Sequence, residues 1–319
     1  MTISPTQAAE FLSAHDRYLI LTHVRPDGDT VGCAAALCRA LRTLGKTAHV
    51  LPNPEITPLF SPYLEGLLAP EDLLPDTVVS VDMAARSLFP DNALPYLPRV
   101  DLAIDHHPSQ EFFARETWVE ADKAACGELL YELAVELGGL NEKVATLLYV
   151  AVSTDTGCFV YSNVTANTHR VAEKLIAAGA DFRRLNKKHF RTKSLARMRL
   201  EGLILQNMTL YQNGSVAVAP ISLDMMAQVQ ATDDDAEDIA AFIGQVEGVR
   251  HSATIRELRP GECKISLRTA ADLNASAVCA RLGGGGHRAA AGCTVYGSVT
   301  EAEQAIVEAM DAQIGESQN

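Results

Sequence analysis

The sequence lacks several features that define common protein classes. Its seven cysteines are scattered and odd in number, and none stands in a Cys-x-x-Cys spacing, which argues against a disulfide framework and a sulfur-rich zinc site. No apolar run reaches the roughly 18 residues that a membrane-spanning helix needs. The N-terminus also lacks the basic and apolar segments of a signal peptide. These absences predict a cytoplasmic protein that does not bind membranes.

Positive charge is scarce as well. The chain has 27 Lys and Arg residues against 40 Asp and Glu residues, which gives a formal net charge of −13. Because neutralising a long phosphate backbone requires a basic face, we do not expect binding to duplex nucleic acid. A small nucleotide held by metal ions is still compatible with this balance, since a bound dication supplies positive charge locally.

The chain does contain a clear alternation of strand and helix patterns. Its 319 residues, 47% of them apolar, fit two domains. Apolar strands are predicted at 18–24, 47–51, 77–81 and 100–104, with helical patterns between and after them. This predicts an α/β fold with a mainly parallel, doubly wound sheet that carries helices on both faces. The expected domains are 1–185, a long basic connecting helix at 186–212, and a smaller α/β domain at 213–319.

The smaller domain is expected to contain a hairpin and a glycine-rich segment. Strand patterns at 251–258 and 262–269 flank Arg259-Pro260-Gly261, and Pro-Gly suits a tight turn. Further on, four glycines at 283–286 precede His287 and Arg288. Backbone N–H groups without side chains can form an anion-binding nest, and Arg268 on the preceding strand would add positive charge. The alternative is that the glycines only form a flexible loop.

Acidic and imidazole side chains follow the apolar elements of the first domain. They are His23, Asp27, Asp29, Asp82, Asp105, His106, His107 and Asp155. Aspartates at the carboxyl ends of parallel strands converge on one rim of the sheet. Taken singly, each has a structural alternative: Asp27 and Asp29 can shape a turn or cap the next helix, and His23 can be a hydrogen-bonded core residue.

A cluster of this kind predicts metal-dependent chemistry. Neighbouring carboxylates repel one another unless cations neutralise them. Mixed oxygen and imidazole ligands suit manganese, magnesium or iron better than calcium. Two ions about 3.5–4 Å apart would clamp a phosphoryl group and lower the pKa of a bridging water. The pattern therefore predicts phosphoester hydrolysis by an in-line hydroxide, without a covalent enzyme intermediate.

The ordered set of motifs resembles the DHH phosphoesterase superfamily over nearly the whole chain. The matching segments are His23-Val24-Arg25-Pro26-Asp27-Gly28-Asp29, Ser80-Val81-Asp82, Asp105-His106-His107, Asp155-Thr156-Gly157-Cys158-Phe159, Ser266-Leu267-Arg268, glycines 283–286 with His287, and Ala290-Ala291-Gly292. The resemblance implies a catalytic DHH domain and a DHH-associated substrate-binding domain. Within the superfamily, the chain is similar to the stand-alone bacterial nano-RNases, which degrade short oligoribonucleotides and remove the 3′-phosphate from pAp.

By matching position, the resemblance also implies residue roles. One cation would be held by His23, Asp27 and Asp82, and the other by Asp29, Asp82, His106 and Asp155, with Asp82 bridging. Asp105 would orient His106, whereas His107 would contact the scissile phosphate. The expected catalytic residues are therefore Asp82, Asp105 and His107. The expected substrate-binding residues are Arg268, Gly284, Gly285, Gly286, His287 and Arg288.

The cofactors implied are two divalent cations, with Mn²⁺ preferred and Mg²⁺ or Fe²⁺ as alternatives. The expected partners are short single-stranded RNA, a dinucleotide or pAp, and the existence of a homodimer is left open. Two other functions stay as alternatives: a cyclic di-AMP or pApA phosphodiesterase, and a catalytically silent nucleotide-binding regulator.

Overall fold

The computed structural model describes residues 1–236 and 239–317, and the chain divides into two compact units, Met1–Thr192 and Lys193–Asn319. None of the helices in the described part is both long and apolar enough to span a bilayer. The domain limits expected from the sequence stay predictions, and residues 237–238 and 318–319 of the expected C-terminal domain lie outside the described residues.

The first unit is built on a five-stranded sheet in the order β2-β1-β3-β4-β5, with all neighbouring strands parallel. The strands are β1 Tyr18–Leu21, β2 Ala48–Val50, β3 Thr77–Val81, β4 Leu102–Asp105 and β5 Glu116–Val119. Every residue of β1, β3 and β4 is buried, as expected for a parallel sheet covered on both faces. The predicted mainly parallel α/β sheet is confirmed.

The two faces of this sheet are covered in different ways. The α-helices are α1 Pro5–Ala14, α2 Gly28–Thr43, α3 Cys126–Glu136, α4 Glu142–Asp155, α5 Ala166–Ala177 and α6 Phe182–Phe190. Their apolar residues form one large core with strand residues such as Ile20 and Val79. Alternate strand residues, including Leu19 and Val78, point to the other face, which is covered mainly by loops and the 3₁₀ helix Asp91–Arg99.

Close packing of α2 against α4 fixes the ends of both helices at the sheet edge. A Cβ atom on Gly28 would lie 2.3 Å from the Thr154 hydroxyl, and one on Gly32 would lie 2.6 Å from the Leu147 carbonyl oxygen. Glycine at these two positions therefore lets the helix backbones approach. The start of α2 meets the end of α4, so Asp29 and Asp155 come to the same place.

The second unit contains a six-stranded, mostly antiparallel sheet in the order β10-β11-β9-β8-β7-β6. Its strands are β6 Thr209–Tyr211, β7 Val216–Ile221, β8 His251–Arg259, β9 Glu262–Thr269, β10 Gly285–Gly286 and β11 Ala290–Tyr296. Its helices are α7 Leu195–Asn207, α8 Leu223–Val229, α9 Ile239–Ile243, α10 Ala275–Ala280 and α11 Val299–Ser317. The predicted hairpin is present as β8 and β9, and Gly261 at its turn has φ +79°.

The basic segment expected to form one connecting helix is divided in two. Helix α6 ends at Phe190, and α7 begins after Ser194, whose hydroxyl accepts a hydrogen bond from the Arg197 amide. Thr192 donates its hydroxyl to the Lys187 carbonyl and helps to close α6. Serine at a helix start competes with helix continuation through this capping bond, which explains the break at 191–194.

Candidate metal centre

The structure gathers the predicted acidic and imidazole residues at one end of the first unit. Three overlapping groups have ligand atoms within 4.8 Å of one another: His23, Asp27 and Asp82; Asp29, His106 and Asp155; and Asp82, His106 and His107. They come from the loop after β1, the first turn of α2, the ends of β3 and β4, and the last residue of α4. This is the carboxyl edge of the parallel sheet, where open α/β folds place their ligands.

Two imidazoles are oriented by backbone carbonyls. The Nδ1 atom of His23 lies 2.7 Å from the Val24 carbonyl oxygen, and Nδ1 of His106 lies 3.1 Å from the Lys123 carbonyl oxygen. Nδ1 therefore carries the proton in the neutral ring, and Nε2 is left as a lone-pair donor. In both residues Nε2 faces carboxylates, which is the arrangement of a metal-ligating histidine with its second nitrogen engaged.

Asp82 lies between these two imidazoles. Its Oδ1 is 3.5 Å from Nε2 of His106, and its Oδ2 is 3.8 Å from Nε2 of His23. The side chain is buried, yet Oδ1 has no hydrogen-bond partner among the described residues. A buried carboxylate oxygen without a partner is costly, so the site lacks a positive charge or a donor at this point. Because its two oxygens face two different imidazoles, Asp82 would be a ligand common to both cations if two were bound here.

Asp29 and Asp155 complete the cluster around His106. Its Nε2 lies 3.9 Å from Asp29 Oδ2 and 3.6 Å from Asp155 Oδ2. Asp29 is also held by the first turn of α3, since the amides of Cys126 and Gly127 donate to its two oxygens at 2.7 and 3.0 Å. Asp27 also has the structural role that the sequence offered as an alternative. It caps α2, because its Oδ1 accepts hydrogen bonds from the amides of Asp29 and Thr30.

The electrostatics of the cluster favour bound cations. Burial, followed by the negative charge of Asp29, raises the pKa of Asp82 well above its ordinary value. Burial and Asp27 raise the pKa of Asp29 to about 7, and burial and Asp29 raise that of Asp155 to about 7. Unless a cation offsets their mutual repulsion, these three buried carboxyl groups therefore resist ionisation at neutral pH.

The residues fit divalent ions in both distance and chemistry. The contacts of 3.5–3.9 Å between Nε2 atoms and carboxylate oxygens are too long for hydrogen bonds. Ligands bound about 2.1 Å from a shared cation lie about 3 Å apart or slightly more, so a small contraction around an ion gives bonding geometry. The donor set is oxygen and nitrogen, without a thiolate ligand, so these clusters can hold metal.

Asp105 was expected to orient His106, and this expectation is wrong. Its Oδ1 accepts a hydrogen bond from Nδ1 of His107 at 2.8 Å, while the Lys123 carbonyl orients His106. The direction of the strand explains the difference, because residues two apart on an extended chain point to the same side. His107 is 42% exposed and its Nδ1 lies 3.7 Å from Asp82 Oδ1, so its ring is at the solvent side of the cluster.

Gln110 is a site residue that the sequence analysis missed. Its side-chain amide is buried and donates to Asp105 Oδ2 at 2.7 Å and to the Met83 carbonyl at 2.9 Å. Asp105 is therefore held from both sides, by Gln110 and by His107. In the sequence, Gln110 is a single glutamine three residues after His107 in a turn-rich segment, and this pattern does not by itself indicate a site residue.

In the second unit, the glycine run forms an edge strand packed against β11. The amides of Gly284 and His287 donate to the carbonyls of Cys279 and Ala290, so they are not available to an anion. A Cβ atom on Gly284 would lie 2.2 Å from the Gly292 carbonyl oxygen. The expected nest is therefore wrong for these two amides, and the need for glycine at 284 and 286 comes from close packing against the β11 backbone.

The remaining expected substrate residues lie near this strand. Gly285, Gly286, His287 and Arg288 are exposed, and Arg288 donates to the Ala271 carbonyl at 3.2 Å. Arg268 lies on β9 opposite Ala290 of β11 and lines a cavity of about 150 Å³ together with Arg256 and Lys264. Three cations line this cavity, one of which, Arg256, forms an ion pair with Asp233, and this lining is compatible with a phosphate-bearing ligand.

Comparisons with known proteins agree with this arrangement. Residues 17–152 match the DHH family, N-terminal domain, and residues 213–316 match the DHHA1 domain. The chain is 32% identical over 301 residues to the bifunctional oligoribonuclease and PAP phosphatase NrnA of Thermus thermophilus, covering 92% of this chain and 89% of that protein.

Two further relatives extend the likeness. The protein of the same name from Bacillus subtilis is 27% identical over 317 residues, covering 95% of this chain and 96% of that one. The crystal structure of an exopolyphosphatase-related protein from Bacteroides fragilis has the same fold, with a TM-score of 0.87, 24% identity, and coverage of 99% of this chain and 97% of that one. The clustered ligands, the two matched domains and the full-length similarity together show that this chain is a member of the DHH phosphoesterase superfamily, alongside the NrnA-type enzymes.

Proposed function

We propose that this protein hydrolyses short oligoribonucleotides and pAp to mononucleotides with two divalent cations, Mn²⁺ being the preferred ion. The observation that carries the proposal is Asp82, a buried carboxylate whose two oxygens face the Nε2 atoms of two different histidines. No hydrogen-bond donor in the described residues satisfies its Oδ1. A bridging role between two cations accounts for both facts.

The proposed ligand sets follow the overlapping groups. His23, Asp27 and Asp82 would hold one ion, and Asp29, His106, Asp155 and Asp82 would hold the other. When bound, the pair of ions would supply Lewis acidity and an activated water for in-line attack on phosphorus. The chain's own residues fix where this happens, because each imidazole is oriented by a backbone carbonyl and Asp29 is fixed by two α3 amides.

His107 is the proposed contact to the scissile phosphate. Its ring is partly exposed beside Asp82, and the hydrogen bond from Nδ1 to Asp105 raises its pKa. A protonated His107 would donate through Nε2 to a phosphate oxygen and offset negative charge that develops during attack. Asp105 would position His107 by accepting from its Nδ1, and Gln110 would act one step further out by donating to Asp105.

The substrate class is supported by the relatives and by the charge of the chain. The relatives in Thermus thermophilus and Bacillus subtilis are named as enzymes that act on oligoribonucleotides and PAP. A net charge of −13 disfavours a long polyanion but not a short one. Arg268, with Arg256 and Lys264 beside it, is the proposed contact to a phosphate of the substrate in the second unit. Gly285, Gly286, His287 and Arg288 are proposed to contribute as well.

The direct test is the substitution Asp82→Asn, which keeps the shape of the side chain and removes its charge. We expect kcat/KM for a ribodinucleotide and for pAp to fall at least about 10³-fold, because a bridging ligand supports both ions. Mn²⁺ should raise the melting temperature of the unmodified protein and not of the variant. Asp72→Asn, which changes an exposed carboxyl by the same atoms, is the matched control.

The same assay separates the alternatives. Substrates are offered in parallel: pAp, a ribodinucleotide, a five-residue RNA and cyclic di-AMP. Faster hydrolysis of cyclic di-AMP than of the other three would replace the proposed substrate class. Tight nucleotide binding without product over hours would instead support a silent regulator, and full activity of Asp82→Asn would contradict the two-cation site itself.

A further inference from the structure

A second cavity in the first unit has a composition that the catalytic proposal does not use. It has a volume of about 480 Å³, within the usual range for small-molecule sites, and lies between the end of α2, the start of α4 and helix α6. Its charged lining consists of four cations and one carboxylate: Arg39, Lys143, Arg184, Lys188 and Glu142. In a chain of net charge −13, this is a local excess of positive charge.

The cavity is remote from the metal-ligand cluster. Arg39 stands ten residues after Asp29 on α2, and Lys143 stands twelve residues before Asp155 on α4. At about 1.5 Å of rise per residue, these separations are roughly 15 and 18 Å along the helix axes. The two helices thus carry the ligand cluster at one end and the basic cavity at the other.

Most of the cations that line the cavity have no carboxylate partner in the described part of the chain. Among the described residues, no carboxylate forms an ion pair with Arg39, Lys143 or Lys188, and Arg184 has only a contact of 3.8 Å to Asp181. Burial, and after it the positive charge of Arg184, lowers the pKa of Lys188. Like charges brought together in this way favour a bound anion.

Part of the wall is fixed in place. Lys188 donates to the Leu59 carbonyl at 3.1 Å and lies 4.5 Å above the ring of Tyr63. The Tyr63 hydroxyl is 2.7 Å from His189 Nε2, and the two rings stack at 5.7 Å. Lys188 is therefore held against a rigid aromatic pair, which reduces the entropy lost when it binds a ligand.

The start of α4 does not itself supply the anion site. The Asn141 side chain already accepts from the amides of Lys143 and Val144. The side-chain cations are what remains to bind a ligand. A neighbouring hollow of about 520 Å³ shares Arg39, Glu142 and Lys143, so these two cations are open to more than one hollow. Arg42 also lines this hollow, but its guanidinium is bonded to the Ala48 and Gly66 carbonyls and contributes charge alone.

We propose that this basic cavity is a second binding site, distinct from the metal centre, for a small anion that carries two or more phosphate groups. The size of the cavity and the number of cations fit such a ligand better than a single phosphate, which needs fewer charges. An extended nucleic acid fits less well because the protein as a whole repels a long polyanion.

The test uses the full chain, stripped of divalent ions and dialysed into chelator-free buffer of low ionic strength, so that the metal centre cannot hold phosphate through its cations. Inorganic pyrophosphate and adenosine 3′,5′-bisphosphate are titrated by calorimetry. The double variant Lys143→Gln with Arg184→Gln should bind at least one of these probes about tenfold more weakly than the unmodified protein.

The matched control is Arg183→Gln with Lys187→Gln, which removes the same charge from exposed positions on α6 that do not line the cavity. The control should bind as the unmodified protein does, and melting curves should show that all three proteins are folded. Absence of binding for both probes, or equal affinity in both double variants, would overturn the proposal. So would an RNA of about ten nucleotides that binds through these same residues far more tightly than pyrophosphate.

Discussion

Two regions of the molecule show different relations between sequence and site: the acidic and imidazole cluster of the first unit and the glycine run of the second. In the first unit, residues whose side chains can bind metal directly follow apolar strands, and the parallel sheet brings two of them, Asp82 and His106, together. In the second unit, the glycines looked like an anion-binding nest, but Gly284 packs against the β11 backbone and its amide is already bonded. The role of an acidic or imidazole side chain can be inferred from its position after a strand. The role of a glycine depends on which part of the backbone packs against it.

The largest expected effect comes from removing divalent ions. Hydrolysis of a ribodinucleotide should fall at least about 10³-fold, because the proposed mechanism relies on cations to activate the attacking water. Amide hydrogen exchange with and without Mn²⁺ measures which of the two units binds the ions. Adding Mn²⁺ should slow exchange at the start of α2 and at the end of β3, since ligand binding stabilises the native state.

Amides of β8 and β9 in the second unit serve as the internal control for this experiment. Their exchange should not respond to Mn²⁺, because the described ligand groups all lie in the first unit. If Mn²⁺ slowed amide exchange equally in both sheets, or in neither, the proposed assignment of the ions to the first unit would be contradicted.

A smaller effect is expected from substitutions in the glycine run. Gly284→Ala should destabilise the second unit by about 3 kcal/mol, as overpacking against a fixed backbone does. Gly285→Ala is the matched control, because a Cβ atom there would meet nothing within 4 Å. Urea unfolding followed by circular dichroism measures both. If Gly285→Ala leaves stability unchanged but weakens nucleotide binding, the run has a ligand role in addition to packing.

These glycines show where sequence reasoning ends. The α/β fold and the gathering of acidic and imidazole side chains at one edge of the sheet were predictable because strand periodicity and side-chain chemistry are local properties. The partner of Asp105 was not, because the alternation that pairs it with His107 holds only if the chain stays extended beyond the end of β4, which the sequence does not show. The break between α6 and α7 was likewise hidden, since Ser194 caps a helix only where the chain has already turned. Gln110 carried no signal that would separate it from a surface glutamine.

A still smaller effect is expected for Gln110, whose substitution tests the residues that support the site from behind. Gln110→Met keeps a similar volume but removes the bond to Asp105 Oδ2. Substitution of a partner that orients a site residue typically costs 10- to 100-fold, so kcat should fall by about that factor. The pH profile of kcat should shift too, because Asp105 acts on the pKa of His107. A purely structural role would lower stability and leave the profile unchanged.

The smallest effect concerns His189, which lies in the first unit away from the ligand cluster. Burial, and after it Lys188, lowers the pKa of His189 to about 4, whereas the unfolded residue titrates near 6.5. Between these two values the unfolded chain binds more protons than the native one, so the stability of the unit should fall as the pH drops from 6.5 toward 4. His189→Gln should reduce this dependence, while His15→Gln, at an exposed position, should not. Urea midpoints at pH 7, 6 and 5 measure the difference, and parallel slopes for all three proteins would exclude His189 as the source.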